Sequence, residues 1–360
     1  MRYRGLVQGP FWQWFNVWER VTELRDLLAS VIILNYNGKR FLEDCLASLQ
    51  RQTCANYQVI LVDNASTDGS VEFVQENFAF VKIVENERNE YSAGNNRGIQ
   101  AARGKYIVIL NNDTKVDDCW LENLVEAAEA DSRVGMCASK VLSMENPQVI
   151  DSAGLVIYPD GMSRARGRLE QDVGQYDQIE EILLPSGCAA LYRREMLDDI
   201  GLFDQDFVAY CEDTDLGLRG RLAGWKAVYV PLAVAYHHYS GSWKSYSPMK
   251  AFLVERNHFW VVVKNLPRRM LFKVPIYTLG RYLVQIYGVL VGKGAGGRFE
   301  GSKFELLLIL ARAYWGALKR LPLMLRKRKA IQAAKKVSDS EIAEWFGRYH
   351  MSVVELVLTD

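Results

Sequence analysis

Carboxylates and amides gather into short runs, each placed directly behind a stretch of β-branched residues. Asn35-Tyr36-Asn37 follows Ser-Val-Ile-Ile-Leu, Asp63-Asn64-Ala65-Ser66-Thr67-Asp68-Gly69 follows Val59–Val62, and Asn111-Asn112-Asp113 follows Tyr106–Leu110. Farther along come Glu212-Asp213-Thr214-Asp215 and His237-His238. A carboxylate in such a place can take a proton from an attacking hydroxyl. With an imidazole it can also hold a divalent cation. Taken singly, Asp68 before Gly69 reads as a turn or helix-cap residue. Glu212 and Asp215 read as charges at a helix start, with Arg219 at i,i+4 spacing from Asp215. Taken together, polar runs at the ends of successive strands make a site for a polar ligand held at several points, because open α/β sheets bind ligands outside the carboxyl ends of their strands.

The elements behind these runs alternate. Strands are expected at Ser30–Leu34, Val59–Val62, Val81–Val84 and Tyr106–Leu110, and amphipathic helices at Phe41–Leu49, Val71–Phe78, Ser92–Ala102 and Trp120–Ala130. Continuous β-branched strands separated by helices imply a parallel sheet covered on both faces, and right-handed crossovers make it doubly wound. Beyond Gly135 the pattern loosens, with Gly154, Pro159, Gly161, Gly167 and Gly174 punctuating a loop-rich stretch. A helix is expected from Glu212 to Gly224.

With 49% apolar and 24% charged residues, collagen-like, disordered and disulfide-scaffold classes are excluded. The net charge of +1 argues against a nucleic-acid partner. Six cysteines without a Cys-x-x-Cys pair read as buried reduced thiols of a cytosolic protein. Residues 1–28 form an aromatic helical extension, with Phe11, Trp14, Phe15 and Trp18 on one face, suited either to packing on its own domain or to a membrane interface. No apolar run reaches the length of an uninterrupted spanning helix, since Pro275, Gly280 and Arg281 break the best candidate. From Leu306 to Val337 there are nine basic residues and no acidic one. Residues 248–360 therefore read as a helical, basic region that associates with a membrane surface.

No Gly-x-Gly-x-x-Gly follows the first strand, and no Gly-Lys-Ser/Thr loop is present. A bound diphosphate would need another counter-charge, most simply a divalent cation on Asp113.

Seven ordered motifs carry a resemblance: Val31-Ile-Ile-Leu-Asn-Tyr-Asn37, Val62-Asp-Asn-Ala-Ser-Thr-Asp-Gly69, Ala93-Gly-Asn-Asn-Arg-Gly98, Leu110-Asn-Asn-Asp113, Gly201-Leu-Phe-Asp204, Glu212-Asp-Thr-Asp-Leu-Gly-Leu-Arg219 and Pro231 through His237. Across roughly residues 29–243 the chain resembles the inverting family 2 glycosyltransferases, in particular the rhamnosyltransferase-like branch that builds bacterial cell-surface glycans. The resemblance implies a GT-A fold over residues 29–247, with a Rossmann-like mixed sheet and helices on both faces. It implies a dTDP- or UDP-sugar donor, a glycan or polyprenyl-diphosphate-linked acceptor, and an enzyme on the inner face of the cytoplasmic membrane. Motif by motif, Asn35 and Asp63 would hold base and ribose, with Asn64, Asn96 and Asn112 also binding substrate. Asp113 and His237 would hold Mg2+ or Mn2+, although the family's usual second carboxylate is replaced by Asn111. Asp213 would be the general base, Glu212 beside it would bind substrate, and Gly187 would let a sugar approach the backbone. Four alternatives stay open: Asp213-x-Asp215 as the metal pair, a plain turn at Gly187, a different nucleotide-sugar or nucleotidyl transferase, and a non-catalytic glycan-binding protein on the same fold.

Overall fold

A computed structural model describes residues 27–238, 247–294 and 302–359. The aromatic stretch read at residues 1–28 lies, but for its last two residues, outside them. The first half alternates as its periodicity requires: β1 (Ala29–Asn35), α1 (Lys39–Gln50), β2 (Tyr57–Asp63), α2 (Ser70–Asn77), β3 (Val81–Glu85), α3 (Tyr91–Ala101), β4 (Tyr106–Asn111), β5 (Thr114–Val116) and α4 (Trp120–Glu129). Beyond it run β6 (Val134–Ser143), β7 (Ile150–Ser152), β8 (Leu155–Ile157), β9 (Ser163–Ala165), β10 (Glu180–Ile182), β11 (Ala189–Arg193), α5 (Arg194–Ile200), α6 (Glu212–Leu222) and β12 (Lys226–His237).

The main sheet has the order β10-β12-β6-β11-β4-β1-β2-β3. Strands β1 to β4 pair in parallel. The inserted β11 runs antiparallel to both β4 and β6, so the sheet is mixed. Side chains alternate across it. Val31, Ile33 and Leu61 face one side with Leu42, Leu46 and Trp120 of α1 and α4. Ile32, Ile60 and Val62 face the other with Ile99, Leu197 and Leu216 of α3, α5 and α6. Burying each such side chain is worth roughly 1.5–3 kcal/mol. Helix α3 lies close on the sheet because Gly98 leaves room, since a Cβ there would meet Ile32 Cγ2 at 2.4 Å.

The C-terminal segment is helical: α7 (Pro248–Asn265), α8 (Arg268–Leu271), α9 (Val274–Val291), α10 (Lys303–Lys319), α11 (Leu321–Ala334), α12 (Asp339–Arg348) and α13 (Val353–Leu358). It folds back on the sheet domain. Leu218 and Leu222 on the outer side of α6 share a buried cluster with Trp260, Ala317, Met324 and Phe346. Lys264 of α7 reaches Asp204 at 2.6 Å and Asp215 at 2.8 Å. Arg281 of α9 is 0% exposed, held by Asp160 at 2.6 Å and Glu255 at 2.7 Å. Among the described residues one stretch, Arg268–Val291, is long and apolar enough by length and composition to cross a membrane, and 11% of its most apolar 18-residue window is buried. The arginine that breaks the apolar run in the sequence is thus the point that ties this helix to the domain.

Candidate active site

Beyond the carboxyl ends of β1 and β4 lies a cavity of about 320 Å³. Asn64, Asn112, Asp113, Gly187, Glu212, Asp213 and His237, all expected from the sequence, line it. Three expected residues stand elsewhere. Asn35 is fully buried behind the wall, where it donates to Asp63 at 3.1 Å and accepts from Asn112 at 2.8 Å. Asp63 accepts from the Ser66 backbone at 2.8 Å and its hydroxyl at 2.6 Å, and so shapes the loop after β2. Gly38 leaves room for this brace, because a Cβ there would fall 2.1 Å from Asn112 Nδ2. Asn96 is farther away still. Its amide donates to Phe203 O at 2.8 Å and accepts from Phe203 N at 3.0 Å, tying α3 to the loop before α6. Asp68 caps, accepting from the backbone of Lys39 at 2.9 Å and of Ser70 at 3.1 Å.

Strand pairing brings His237 to Asp113. The last residues of β12 pair with β5, setting His237 against Thr114. Its Nε2 lies 3.4 Å from Asp113 Oδ1, while Nδ1 lies 2.7 Å from Asp151, which in turn receives Arg168 at 2.6 Å. His238 turns away to Glu145 at 2.9 Å. An imidazole braced by a carboxylate at Nδ1, with Nε2 facing another carboxylate, is how metal-bound histidines are oriented. The separation of 3.4 Å suits two ligands of one small cation at roughly 2.0–2.2 Å each. Among the described residues no group of three or more His, Cys, Asp or Glu is placed to hold a metal. Asp113 and His237 would supply two ligands of a cation and leave its other positions to phosphate oxygens and water.

Asp213 sits at the start of α6, opposite the loop before β11. Its Oδ2 accepts from Gly187 N at 3.1 Å, and its Oδ1 from Thr214 N at 2.6 Å. Glu212, 6% exposed, has an Oε2 without a hydrogen-bond partner among the described residues. Burial raises the pKa of both carboxyls, and that of Glu212 well above the usual carboxylate range, aided by the Asp213 charge. Hydrogen bonds counter the rise at Asp213 only in part. Two adjacent buried carboxyls ionise one at a time. Of the two, Asp213 is the one with backbone donors aimed at it, which favours its charged form over that of Glu212.

Asp215 cannot join Asp213 in a metal pair. It is 0% exposed and accepts from Arg219 at 3.0 Å and Asn265 at 2.9 Å as well as from Lys264. These cations hold its pKa down at about 2 against the effect of burial.

Sequence reasoning did not single out Asp151, Arg168 or Asn257. Asp151 and Arg168 lie in the glycine-punctuated stretch, where no period marks them. Asn257, on α7, donates to the carbonyls of Phe207, Ala209 and Tyr210 at 2.9, 2.8 and 2.7 Å. The segment it holds carries positive φ at Val208, Tyr210 and Cys211 (67°, 66° and 64°), directly ahead of Glu212. Non-glycine residues enter that region only where surroundings hold them. In the sequence Asn257 stands between Glu255-Arg256 and His258, and nothing there sets it apart. All six cysteines are free, and Cys119 is exposed where burial was expected.

Residues 30–201 match the family model described as Glycosyl transferase family 2. An N-acetylglucosaminyl-diphospho-decaprenol L-rhamnosyltransferase of Mycobacterium tuberculosis is 29% identical over 240 residues, covering 58% of this chain and 75% of that protein. An O-antigen biosynthesis protein of Myxococcus xanthus is 27% identical over 246 residues, 62% of this chain and 19% of its own length. Among solved structures, GalNAc-T7 with UDP, GalNAc and Mn2+ superposes with a TM-score of 0.55 at 19% identity, over 66% of this chain and 48% of that one. Residues 1–349 of S. aureus TarS superpose with a TM-score of 0.53 at 15% identity, over 88% of this chain and 92% of that one. The mixed sheet and the crevice at its strand ends define a glycosyltransferase of GT-A fold. Within that class, residues 30–201 match the family 2 model, and the chain is similar to a rhamnosyltransferase.

Proposed function

We propose that this enzyme transfers a sugar, with inversion, from a dTDP- or UDP-sugar to a hydroxyl of a lipid-linked glycan in cell-surface polysaccharide synthesis. The observation that carries the reading is Asp213, held by the backbone N–H groups of Gly187 and Thr214 beside the buried Glu212, on the wall of the cavity that Asp113 and His237 also line. Asp213 takes the acceptor O–H proton. The acceptor oxygen forms its bond to the anomeric carbon from the face opposite the leaving group, and the C–O bond to the diphosphate breaks with its electron pair on the diphosphate. Asp113 and His237 would hold a divalent cation, which supplies positive charge to the departing diphosphate. Asp151 keeps His237 in the required orientation. The Asn35–Asn112 brace sets the wall against which the nucleotide lies.

The relative's decaprenol acceptor supports a lipid-linked substrate here. Exposed apolar residues on α9 and α10, among them Leu290 at 70% and Trp315 at 72%, support attachment to a bilayer surface, with Arg268, Arg269 and Lys273 exposed at one end of α9. Because Arg281 anchors α9 through its middle, this helix lies along the surface and does not span it. The enzyme would then work peripherally on the cytoplasmic face. A panel of nucleotide sugars with and without Mn2+ or Mg2+, read by thermal shift, followed by NMR of the product anomer, tests the reading. A retained anomeric configuration, or stabilisation by no nucleotide sugar, would overturn it.

A further inference from the structure

Helix α11 has two unlike faces. Arg320 just ahead of it, then Met324, Lys327, Arg328 and Ile331, recur at helical spacing on the inner face, where Met324 is fully buried, while Arg326 and Lys329 stand exposed on the other. The inner cations meet acceptors of the sheet domain and of α7. Lys327 reaches Asp204 at 2.5 Å and Asp206 at 2.6 Å, and Arg320 also reaches Asp206. Arg328 donates to the carbonyls of Val263 and Leu266 at 2.8 and 2.6 Å, which fixes α11 against the end of α7. Lys264, near that same end, bridges Asp204 and Asp215. Part of the basic run between Leu306 and Val337 therefore points at carboxylates of this chain.

Those carboxylates open the segment that leads to the base. Asp204 caps a 3-10 turn, Gln205–Phe207, and accepts from Asp206 N at 3.2 Å. Val208, Tyr210 and Cys211 follow with positive φ, and Glu212 and Asp213 come directly after. Helix α7 holds the carbonyls of this segment through Asn257 and through Arg256, which donates to Phe207 O at 3.0 Å. From α3, Ser92 N donates to Val208 O at 3.0 Å. At its end, Tyr210, Glu212 and Asp213 stand between the cavity described above and a second, of about 540 Å³, closed by α7, α9 and α10. Burial opposes a charge on Asp204, yet Lys264 and Lys327 hold its carboxyl below the usual range. Left-handed non-glycine residues persist only where their surroundings over-determine them. A displacement of about 1 Å at a reacting group can cost about 10²-fold in rate.

We infer that Lys327 and Arg320 are positioning residues for Asp213: the C-terminal helices set the base by gripping the turn at 204–206 that leads into it. The inference rests on the transfer reading above and adds what holds its base in place. Asn257 takes the carbonyls of the segment and the cations take its carboxylates, so the grip has two separate parts. Lys264 ties the same turn to α6, because Asp215 stands two residues past Asp213. Lys327 and Arg320 line neither cavity, so they act through the segment and not on a substrate.

The full chain carrying Lys327→Met tests this. Turnover is read as nucleoside diphosphate released from the donor that the nucleotide-sugar panel selects, with water as acceptor. In Lys327→Met, kcat per folded molecule should fall about tenfold or more, while UDP affinity in Mn2+ stays within about twofold. Hydrogen–deuterium exchange of residues 207–212 should rise about tenfold. Lys327→Arg keeps the charge and should return kcat to within about threefold of the original. Arg320→Met removes a contact to Asp206 from a side chain that is 53% exposed. It should lower kcat about threefold or more with UDP affinity again intact, so a folding failure of Lys327→Met leaves it to decide. Lys329→Gln takes a charge from the exposed face of the same helix and should keep kcat within about twofold. An unchanged kcat per folded molecule in Lys327→Met and Arg320→Met, even with a lowered Tm, would show a structural brace only and overturn the inference. UDP affinity falling in step with kcat, or Lys327→Arg as slow as Lys327→Met, would overturn it too. If the unaltered protein releases nucleotide from no donor, the transfer reading itself fails, and the exchange measurement still decides whether the cations hold the segment.

Discussion

Replacing Asp213 by asparagine removes basicity at the reacting hydroxyl, and the structure sets what else it removes. Both oxygens of Asp213 accept backbone N–H groups, Gly187 at 3.1 Å and Thr214 at 2.6 Å. An asparagine has one acceptor oxygen, so one of those donors must face an amide NH2. An unsatisfied buried donor costs about 1–3 kcal/mol. Against this, burial raises the Asp213 pKa, so the folded protein spends free energy to ionise it at neutral pH. That cost is absent below the ordinary carboxyl pKa and is felt as pH rises through the raised value; asparagine removes it. The two effects oppose, so Tm at pH 7.5 should move little. The catalytic loss has no such offset. A positioned base contributes about 10²–10⁴-fold, or about 2.7–5.4 kcal/mol of barrier. Steady-state kcat with saturating donor, UDP affinity by calorimetry and Tm by scanning calorimetry separate the terms. We expect kcat to fall by at least 10²-fold with UDP affinity within about twofold. Glu212→Gln should cost less than tenfold, because burial and the Asp213 charge disfavour a charge on Glu212 and glutamine keeps its shape. In the unaltered enzyme kcat should fall on the acid side through a pKa above the ordinary 3.8, and that limb should vanish in the asparagine variant. A kcat within tenfold of the original, a UDP affinity lost as severely as kcat, or Glu212→Gln as the more damaging change would refute the assignment.

Three further outcomes are expected. EDTA, or Asp113→Asn, should weaken UDP binding at least tenfold, and equal affinity with and without EDTA would remove the cation from Asp113 and His237. Asn257→Leu should release the positive-φ loop before Glu212, lowering kcat about tenfold or more while leaving UDP affinity in place. A purely structural role would instead lower Tm with kcat per folded molecule unchanged. Asp215→Asn leaves Lys264 and Arg219 with a neutral partner in a buried cluster and should cost about 3–5 kcal/mol by urea unfolding. Because the Asp215 carboxyl is held at about 2, its contribution is present above the ordinary pKa and is lost as pH falls from about 4 toward 2, so the two proteins should converge in stability there.

The sequence by itself determined the alternating half of the fold. Periods of 2 and 3.6 in apolar residues encode which face each element buries, and Val31, Ile32 and Ile33 of β1 divide between two cores as alternation demands. Strand ends follow from that pattern, and the polar runs that supply Asn64, Asn112 and Asp113 accordingly stand at the crevice. Where motif residues bond sideways instead of outward, the sequence could not tell. Asn35, Asp63 and Asn96 are polar residues in the right motifs, yet their partners are Asn112, Ser66 and Phe203, a choice that local spacing does not contain. Tertiary structure alone decided that Asp151 stands behind His237, that Asn257 pins the loop before Glu212, and that Arg281 finds Asp160 across 121 residues. Each of these is a hydrogen bond between elements whose meeting depends on how helices pack over a sheet, and packing is set by the summed shapes of buried faces. That is why the basic, apolar tail could be read as helical from its sequence, while only the fold shows those helices closing a chamber beside Asp213.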